Sequence, residues 1–283
     1  MDDRILDRLR CPVCAEPLTE TTAGTARALR CPRGHSFDMA RQGYVNLLAG
    51  RAPHSGDSAE MVAARAGFLA AGHYDTVAAA LATTAVRVAG VEPYPLVVDA
   101  GAGTGHYLAA VLAALPDAAG LALDVSKPAL RRAAKAHPRA AAALADTWQR
   151  LPLADRSTAV LLNVFAPRNG PEFHRVLDPG GALLVVTPAA DHLTELVDAL
   201  DLLRVDPDKA ERVAGSLGAH FTEESATGHR ARLALTRAEV ATLVGMGPSA
   251  WHADPERLAA RIATLPEPVP VTLSVRLGVH RPR

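Results

Sequence analysis

The sequence predicts an α/β protein: a mostly parallel sheet with helices on both faces and antiparallel closing strands, preceded by a small metal-stapled unit. Three observations carry this reading. All three cysteines fall before residue 50, in short pieces punctuated by Pro and Gly. From about residue 57, short apolar runs alternate with helical segments, the pattern of a parallel sheet covered by helices. A glycine-rich turn follows the first of those runs, where an open α/β sheet places its ligand. The chain divides accordingly into a metal-binding unit at 1–50, connecting helices at 51–90 and a Rossmann-like domain at 91–283.

In chain order, Asp57 with Glu60 makes a capping-box-like helix start, and Gly72 is a stop. A second helix is expected over 75–88. Pro93 and Pro95 then lead into LVVDA at 96–100, the first buried strand. Further strands are LALD (121–124), AAALAD (141–146), AVLLNVF (159–165) and ALLVVT (182–187), separated by helical segments such as SKPALRRAAKAH and HLTELVDALDLL. RARLAL (230–235) and VPVTLSVRLGV (269–279) alternate with a period of two, which suits antiparallel or edge strands.

Composition narrows the function. With 49% apolar and 21% charged residues the chain is globular rather than disordered. Thirty basic against thirty acidic side chains exclude a histone-like bulk attraction to nucleic acid, while a local basic patch stays possible. No run reaches the ~18 to 20 apolar residues of a membrane span, and MDDRILDRLRCPVC lacks the apolar centre of a secretory signal. A cytoplasmic protein with no membrane association is expected.

Cys11 and Cys14 stand two residues apart, and Cys31 and His35 follow with three residues between them. Zinc takes four soft or borderline ligands in a tetrahedron, and two such knuckles supply them. Four protein ligands leave no open position, so the expected zinc is structural, and a unit this small draws much of its stability from the metal, about 10 to 16 kcal/mol of apparent binding energy. The alternative is three reduced cysteines and a surface histidine.

VVDAGAGTG places Asp99 at the end of the first strand and Gly101, Gly103 and Gly105 in the turn before HYLAAVLAAL. Glycines there let the backbone come close to a ligand. A dinucleotide loop needs its third glycine where His106 stands. The spacing is instead Asp-x-Gly-x-Gly-x-Gly, and an acid leading the loop suits the ammonium of S-adenosylmethionine better than a pyrophosphate. Asp124, ending the second strand, is placed to accept from two ribose hydroxyls, and Asp146, ending the third run, from the adenine amino group. Each acid alone has a helix cap as its alternative, and the loop alone a tight turn. The three in order favour an S-adenosylmethionine site.

The fourth strand ends in NVFAPR, where substrate-facing groups would sit. Asn163 carries both a donor and an acceptor to orient a base, or else serves as a loop-initiating amide before Pro167. Lys127, Arg131 and Lys135, with Arg139 continuing the spacing, form a stripe for phosphates if their segment is helical, and a solvated helix face otherwise. Tyr44 and Trp251 are candidates for base stacking or for core packing. No general base is assigned among His73, His106 and His192.

The Cys/His set followed by SFDMARQGYVNLL, GDSAEMVAARAGFLAAGHY, VVDAGAGTG, LALDVSKPALRRAAK and NVFAPRNGPEF closely resembles the bacterial 23S rRNA (guanine-N1)-methyltransferases over essentially the whole chain. NVFAPRN and MGPSAWH are most similar to the actinobacterial branch that gives resistance to tylosin and mycinamicin. The resemblance implies a zinc-ribbon RNA-recognition domain joined to a class I methyltransferase, usually a homodimer, acting on 23S rRNA. It maps zinc ligands onto Cys11, Cys14, Cys31 and His35, and cofactor contacts onto Tyr74, Gly105, His106 and His192. GAGTGH and NVFAPR depart from the enterobacterial members near the target base, so the choice between two neighbouring guanines stays open.

The implied reaction is an in-line displacement by guanine N1 on the methyl of S-adenosylmethionine, with the target unpaired or flipped and its N1 proton removed. Two other readings remain: a methyltransferase acting on a small molecule or protein, and a zinc-ribbon RNA-binding module without activity.

Overall fold

The computed structural model describes residues 1–50, 56–90, 94–202, 215–247 and 254–283. Trp251 lies outside the described residues, as do 51–55 and 91–93, where the expected units at 1–50, 51–90 and 91–283 meet. Among the described residues no helix is long and apolar enough to cross a membrane.

Helix α1 (Asp3–Leu6) is capped by the Asp2 side chain, which accepts from the Arg4 amide. Strands β1 (Thr19–Ala23), β2 (Ala26–Arg30) and β3 (Ser36–Asp38) form a small antiparallel sheet. Strand β4 (Tyr44–Asn46) leaves that sheet and pairs in parallel with the strand at Ala140–Leu144. There follow α2 (Ala59–Ala70), α3 (Asp75–Val88), β5 (Leu96–Ala100), α4 (His106–Ala114), β6 (Ala119–Asp124), α5 (Lys127–Ala133), β7 (Ala140–Leu144), β8 (Thr158–Val164), α6 (Gly170–Val176), β9 (Leu177–Pro188), α7 (Thr194–Leu200), β10 (Phe221–Leu235), α8 (Arg237–Gly245), α9 (Pro255–Ala263) and β11 (Val269–Pro282). The large sheet has eight strands in the order β10-β11-β9-β8-β5-β6-β7-β4. All neighbours from β9 to β4 are parallel, and β10 and β11 close it antiparallel, as the two-residue alternation predicts. Strand order reverses between β5 and β8, which puts the ligand crevice outside their carboxyl ends.

Alternation along β5 divides the core. Val97 faces a layer built with α2, α3, α4, α5, α7 and α8, whereas Leu96, Val98 and Ala100 face the other side. That second layer holds Phe173 and Val176 of α6 together with Ile5, Leu9, Cys11, Leu18, Leu29 and Cys31 of the N-terminal unit. No helix occurs in the connection between β7 and β8; the metal-binding unit covers the sheet there. Its backbone is stitched on: Leu9 bridges Leu153, Arg10 donates to the Pro152 carbonyl at 3.0 Å and Ala154 to that of Arg8 at 2.8 Å. Burying Leu9 and Leu29 each contributes on the order of 1.5 to 3 kcal/mol to that docking.

Two local expectations are corrected, and for Tyr44 the core-packing alternative holds. The N-cap of α2 is Ser58, whose hydroxyl accepts from the Met61 amide at 3.2 Å, because the Asp57 carboxylate is taken by Arg65. Tyr44 is buried within β4 and has no face for a base. Helix α5 ends at Ala133, so Lys135 sits in the turn beyond it, and Arg139 turns inward. The Arg139 guanidinium donates to the carbonyls of Leu112 and Leu115 at the C-terminal end of α4, where a cation also opposes the helix dipole, and to that of Ala118 in the turn before β6. Replacing Arg139 by Ala removes the charged donor from all three carbonyls and leaves Leu112 O and Leu115 O only the backbone amides of Leu115 and Ala118, which is expected to cost about 1 to 3 kcal/mol. The check is a lower urea midpoint with an unchanged slope.

Candidate active site and metal centre

The ligand atoms of Cys11, Cys14, Cys31 and His35 all lie within 4.8 Å of one another. His35 Nδ1 is 3.6 Å from Cys11 Sγ and 3.3 Å from Cys31 Sγ, and Cys14 Sγ is 3.6 Å from Cys31 Sγ. A tetrahedron with zinc–sulfur bonds of about 2.3 Å has edges of about 3.8 Å, so the four groups fit a zinc ion. Each knuckle is closed by a tight turn, Ala15 N–H to Cys11 O and Gly34 N–H to Cys31 O. Burial pushes the Cys31 thiol up, but hydrogen bonds to it from the His35 and Arg33 backbone, with those from the Cys14 and His35 side chains, outweigh this and bring it to about 6. The ligand set is closed and structural.

At the other site, Asp99 is 1% exposed at the tip of β5, and neither of its carboxylate oxygens has a hydrogen-bond partner among the described residues. Burial, with the neighbouring Asp124 charge, pushes its carboxyl up to about 8. A sealed carboxylate without a donor is costly, and burial favours its protonated form unless a cation is brought beside it. Asp124 is held differently: Oδ2 accepts from Gly103 N–H and Oδ1 from Ser126 N–H, both at 2.8 Å. Each oxygen keeps a second lone pair for a ribose hydroxyl. Asp146, buried two residues beyond β7, accepts from Trp148 N–H at 2.9 Å, and the adjoining Ala145 amide donates to Asp124 O. The tips of β5, β6 and β7 therefore hold their acids along one edge.

The glycine loop explains why pyrophosphate does not suit this crevice. The amides of Gly101 and Ala102 both donate to Leu123 O, that of Gly103 to Asp124 and that of Gly105 to Ala102 O, leaving none of these four to cradle a phosphate. Gly101 has φ +85°, and a Cβ there would lie 2.4 Å from the Ala166 methyl. Gly105, at φ +78°, would bring one within 2.9 Å of Ala133 Cα. Both positions need glycine for conformation and for space.

Tyr74 is buried at the start of α3, its ring edge-on to Phe68 and its hydroxyl 3.5 Å from His192 Nε2. His192 Nδ1 accepts from Ser274 N–H at 3.2 Å, so in the neutral ring the proton sits on Nε2 and points toward Tyr74. His106 opens α4 with a buried Nε2 that has no partner among the described residues. Burial pushes its imidazole down, with Asp75 partly opposing, which keeps it neutral. His73 instead pairs with Glu239 at 2.9 Å and packs on Phe68, joining the α2–α3 turn to α8.

Asn163 is fully buried and its amide nitrogen is committed, donating to Ala100 O at 3.2 Å and Pro167 O at 2.8 Å. Its nitrogen ties the tips of β5 and β8 to the following turn, as a loop-initiating amide would, while its Oδ1 has no hydrogen-bond partner among the described residues. Lys127, Arg131 and Lys135 are exposed and make no ion pair among the described residues. Sequence reasoning missed Arg65, which spans from Asp57 to the Met246 carbonyl and lies 3.6 Å from where a Gly103 Cβ would be. It thereby lays α2 across the glycine loop. Phe165, exposed at the tip of β8, was also missed; positive φ leaves no mark in the sequence.

Residues 9–55 match the zinc-ribbon family described as "RlmA, N-terminal", and 97–181 match a methyltransferase domain. A provisionally named 23S rRNA (guanine-N(1)-)-methyltransferase of Micromonospora griseorubida is 68% identical over 294 aligned positions covering all of both chains. The 23S rRNA (guanine(748)-N(1))-methyltransferase of Streptomyces fradiae is 54% identical over 282, covering 100% of this chain and 99% of that one. YxjB of Bacillus subtilis, provisionally named for the same activity, is 30% identical over 281, covering 95% and 96%.

Two outcomes are expected. Removing zinc with a chelator, or replacing Cys31 by Ala, unclamps the layer under β5; elemental analysis should show the bound zinc lost, and the melting temperature should fall, recovering with added zinc only in the wild type. For Asp99, the unfolded chain ionises near the ordinary carboxyl value while the folded protein holds its proton to about pH 8. Between those values the folded state binds more protons, so stability falls as pH rises. Asp99→Asn should flatten that part of the melting-temperature profile.

Proposed function

This chain belongs to the 23S rRNA (guanine-N1)-methyltransferase family, and we propose that it methylates N1 of the guanine equivalent to position 748, in a hairpin loop of 23S rRNA, protecting the ribosome from tylosin- and mycinamicin-type macrolides. The observation that carries this is the shared edge. Strand β4 runs from the zinc ribbon parallel to β7 and delivers the chain to the carboxyl edge, where Ser126 Oγ donates to Asp57 O beside Asp124. The ribbon is thereby joined directly to the edge that carries the crevice, which supports one substrate held by both. The name of the Streptomyces fradiae relative supports 748 over its neighbour, and the likeness to the resistance branch supports the protective role. We place the protein in the cytoplasm as a homodimer, following the family.

S-adenosylmethionine supplies an electrophilic methyl on a positively charged sulfur. Asp99 faces its ammonium, Asp124 takes the ribose hydroxyls and Asp146 the adenine amino group, while Tyr74, His106 and His192 line the methionine side. Asn163 acts as a positioning residue that fixes the turn after β8. Lys127, Arg131 and Lys135 meet RNA phosphates. Guanine N1 lies inside a Watson–Crick pair, so the base must be unpaired or extruded before attack. N1 must also give up its proton to water or a base as the methyl leaves the sulfur, and most of the rate then comes from holding N1 in line with the methyl.

Primer extension on 23S rRNA from cells with and without the gene tests this. N1-methylguanine blocks pairing, so reverse transcriptase should stop next to position 748 only where the gene is present. Identical stops in both strains would sink the proposal.

A further inference from the structure

Phe165 is 41% exposed and has φ +54°, a backbone conformation that a bulky aromatic residue adopts only when its surroundings impose it. Those surroundings are on three sides. Its own amide donates to Val186 O at 3.1 Å. Asn163 holds Pro167 O two residues on, and Ala166 fills the space a Cβ on Gly101 would need. The turn is thus clamped against β9, β8 and the glycine loop, and it holds a large apolar ring at the crevice instead of burying it. Two rings back it: His192 is near-parallel, with planes 26° apart and centroids at 6.2 Å, and Tyr74 is tilted, at 6.3 Å.

We propose that Phe165 is the stacking platform for the target guanine, an inference that rests on the rRNA reading above. Once its proton is lost, guanine N1 offers a nucleophilic lone pair that lies in the plane of the base. A flat support under one face fixes that plane and leaves the N1 edge open to the methyl. The ring carries no polar group, so it orients the base and takes no part in moving the proton. The cofactor's adenine is not the occupant, since its acids stand at the tips of β6 and β7, on the far side of β5 from β8.

The test compares Phe165→Leu and Phe165→Tyr with the wild type, measuring kcat/KM on a 23S rRNA hairpin carrying the target guanine and S-adenosylmethionine affinity by calorimetry. Loss of base–aromatic stacking predicts a roughly ten- to hundredfold drop for Phe165→Leu with cofactor affinity unchanged. Phe165→Tyr, which keeps the flat ring, should stay close to wild type. The inference falls if Phe165→Leu keeps wild-type kcat/KM, if Phe165→Leu loses cofactor binding as well, or if Phe165→Tyr fails as badly as Phe165→Leu. A wild-type protein that leaves the hairpin unmethylated overturns the rRNA reading and this inference with it; a methylating wild type with an unimpaired Phe165→Leu overturns only the platform.

Discussion

A carboxyl group sealed from water with no donor beside it is the constraint on which this molecule's carboxyl edge is organised. Asp99 sits at the tip of β5 in that condition, and Asp124 adds a second acid whose charge reaches it. The loops around them are packed too closely to admit side chains, which is why Gly101 and Gly105 carry none. The amides of Gly101, Ala102 and Gly103 are turned back on β6 and that of Gly105 on its own loop, so these four offer no cradle to a phosphate. Bringing a cation beside Asp99 would let it ionise inside the fold. A ligand carrying an ammonium and a sulfonium matches it, and a nucleotide phosphate does not.

Much of this was legible in the chain because it is local. The apolar runs marked β5, β6 and β8 to within about two residues, and the helix expected over 75–88 forms over those residues. Knuckle spacing brought the four zinc ligands together. What was not legible depends on partners distant in sequence. Asp57 and Ser58 are both good cap residues, and Arg65 decides between them by taking the carboxylate. Arg139 looked like the fourth member of a basic stripe, yet α4, more than twenty residues earlier, needed a donor at its end. The sequence allows Asn163 two readings, and only the carbonyls of Ala100 and Pro167, brought close by the fold, commit its amide nitrogen.

The two faces of the large sheet are finished by different means. One is covered by helices, and the other in part by a unit too small to hold itself together without a metal. Cys11 and Cys31 belong to the same apolar layer as Val98 and Leu121, so metal binding and the seating of β5 are energetically linked. Loss of zinc therefore loosens the floor beneath the strand that carries Asp99.

Strand β4 is only three residues long, yet it occupies the flank of β7. A catalytic half severed at residue 50 would lose that cover and offer a bare ladder of backbone groups to any other chain, an invitation to aggregate. The recognition head is consequently no interchangeable cassette. Evolution or an engineer grafting a new head onto this enzyme would have to transplant the strand along with it, or invent another way to blunt the exposed border.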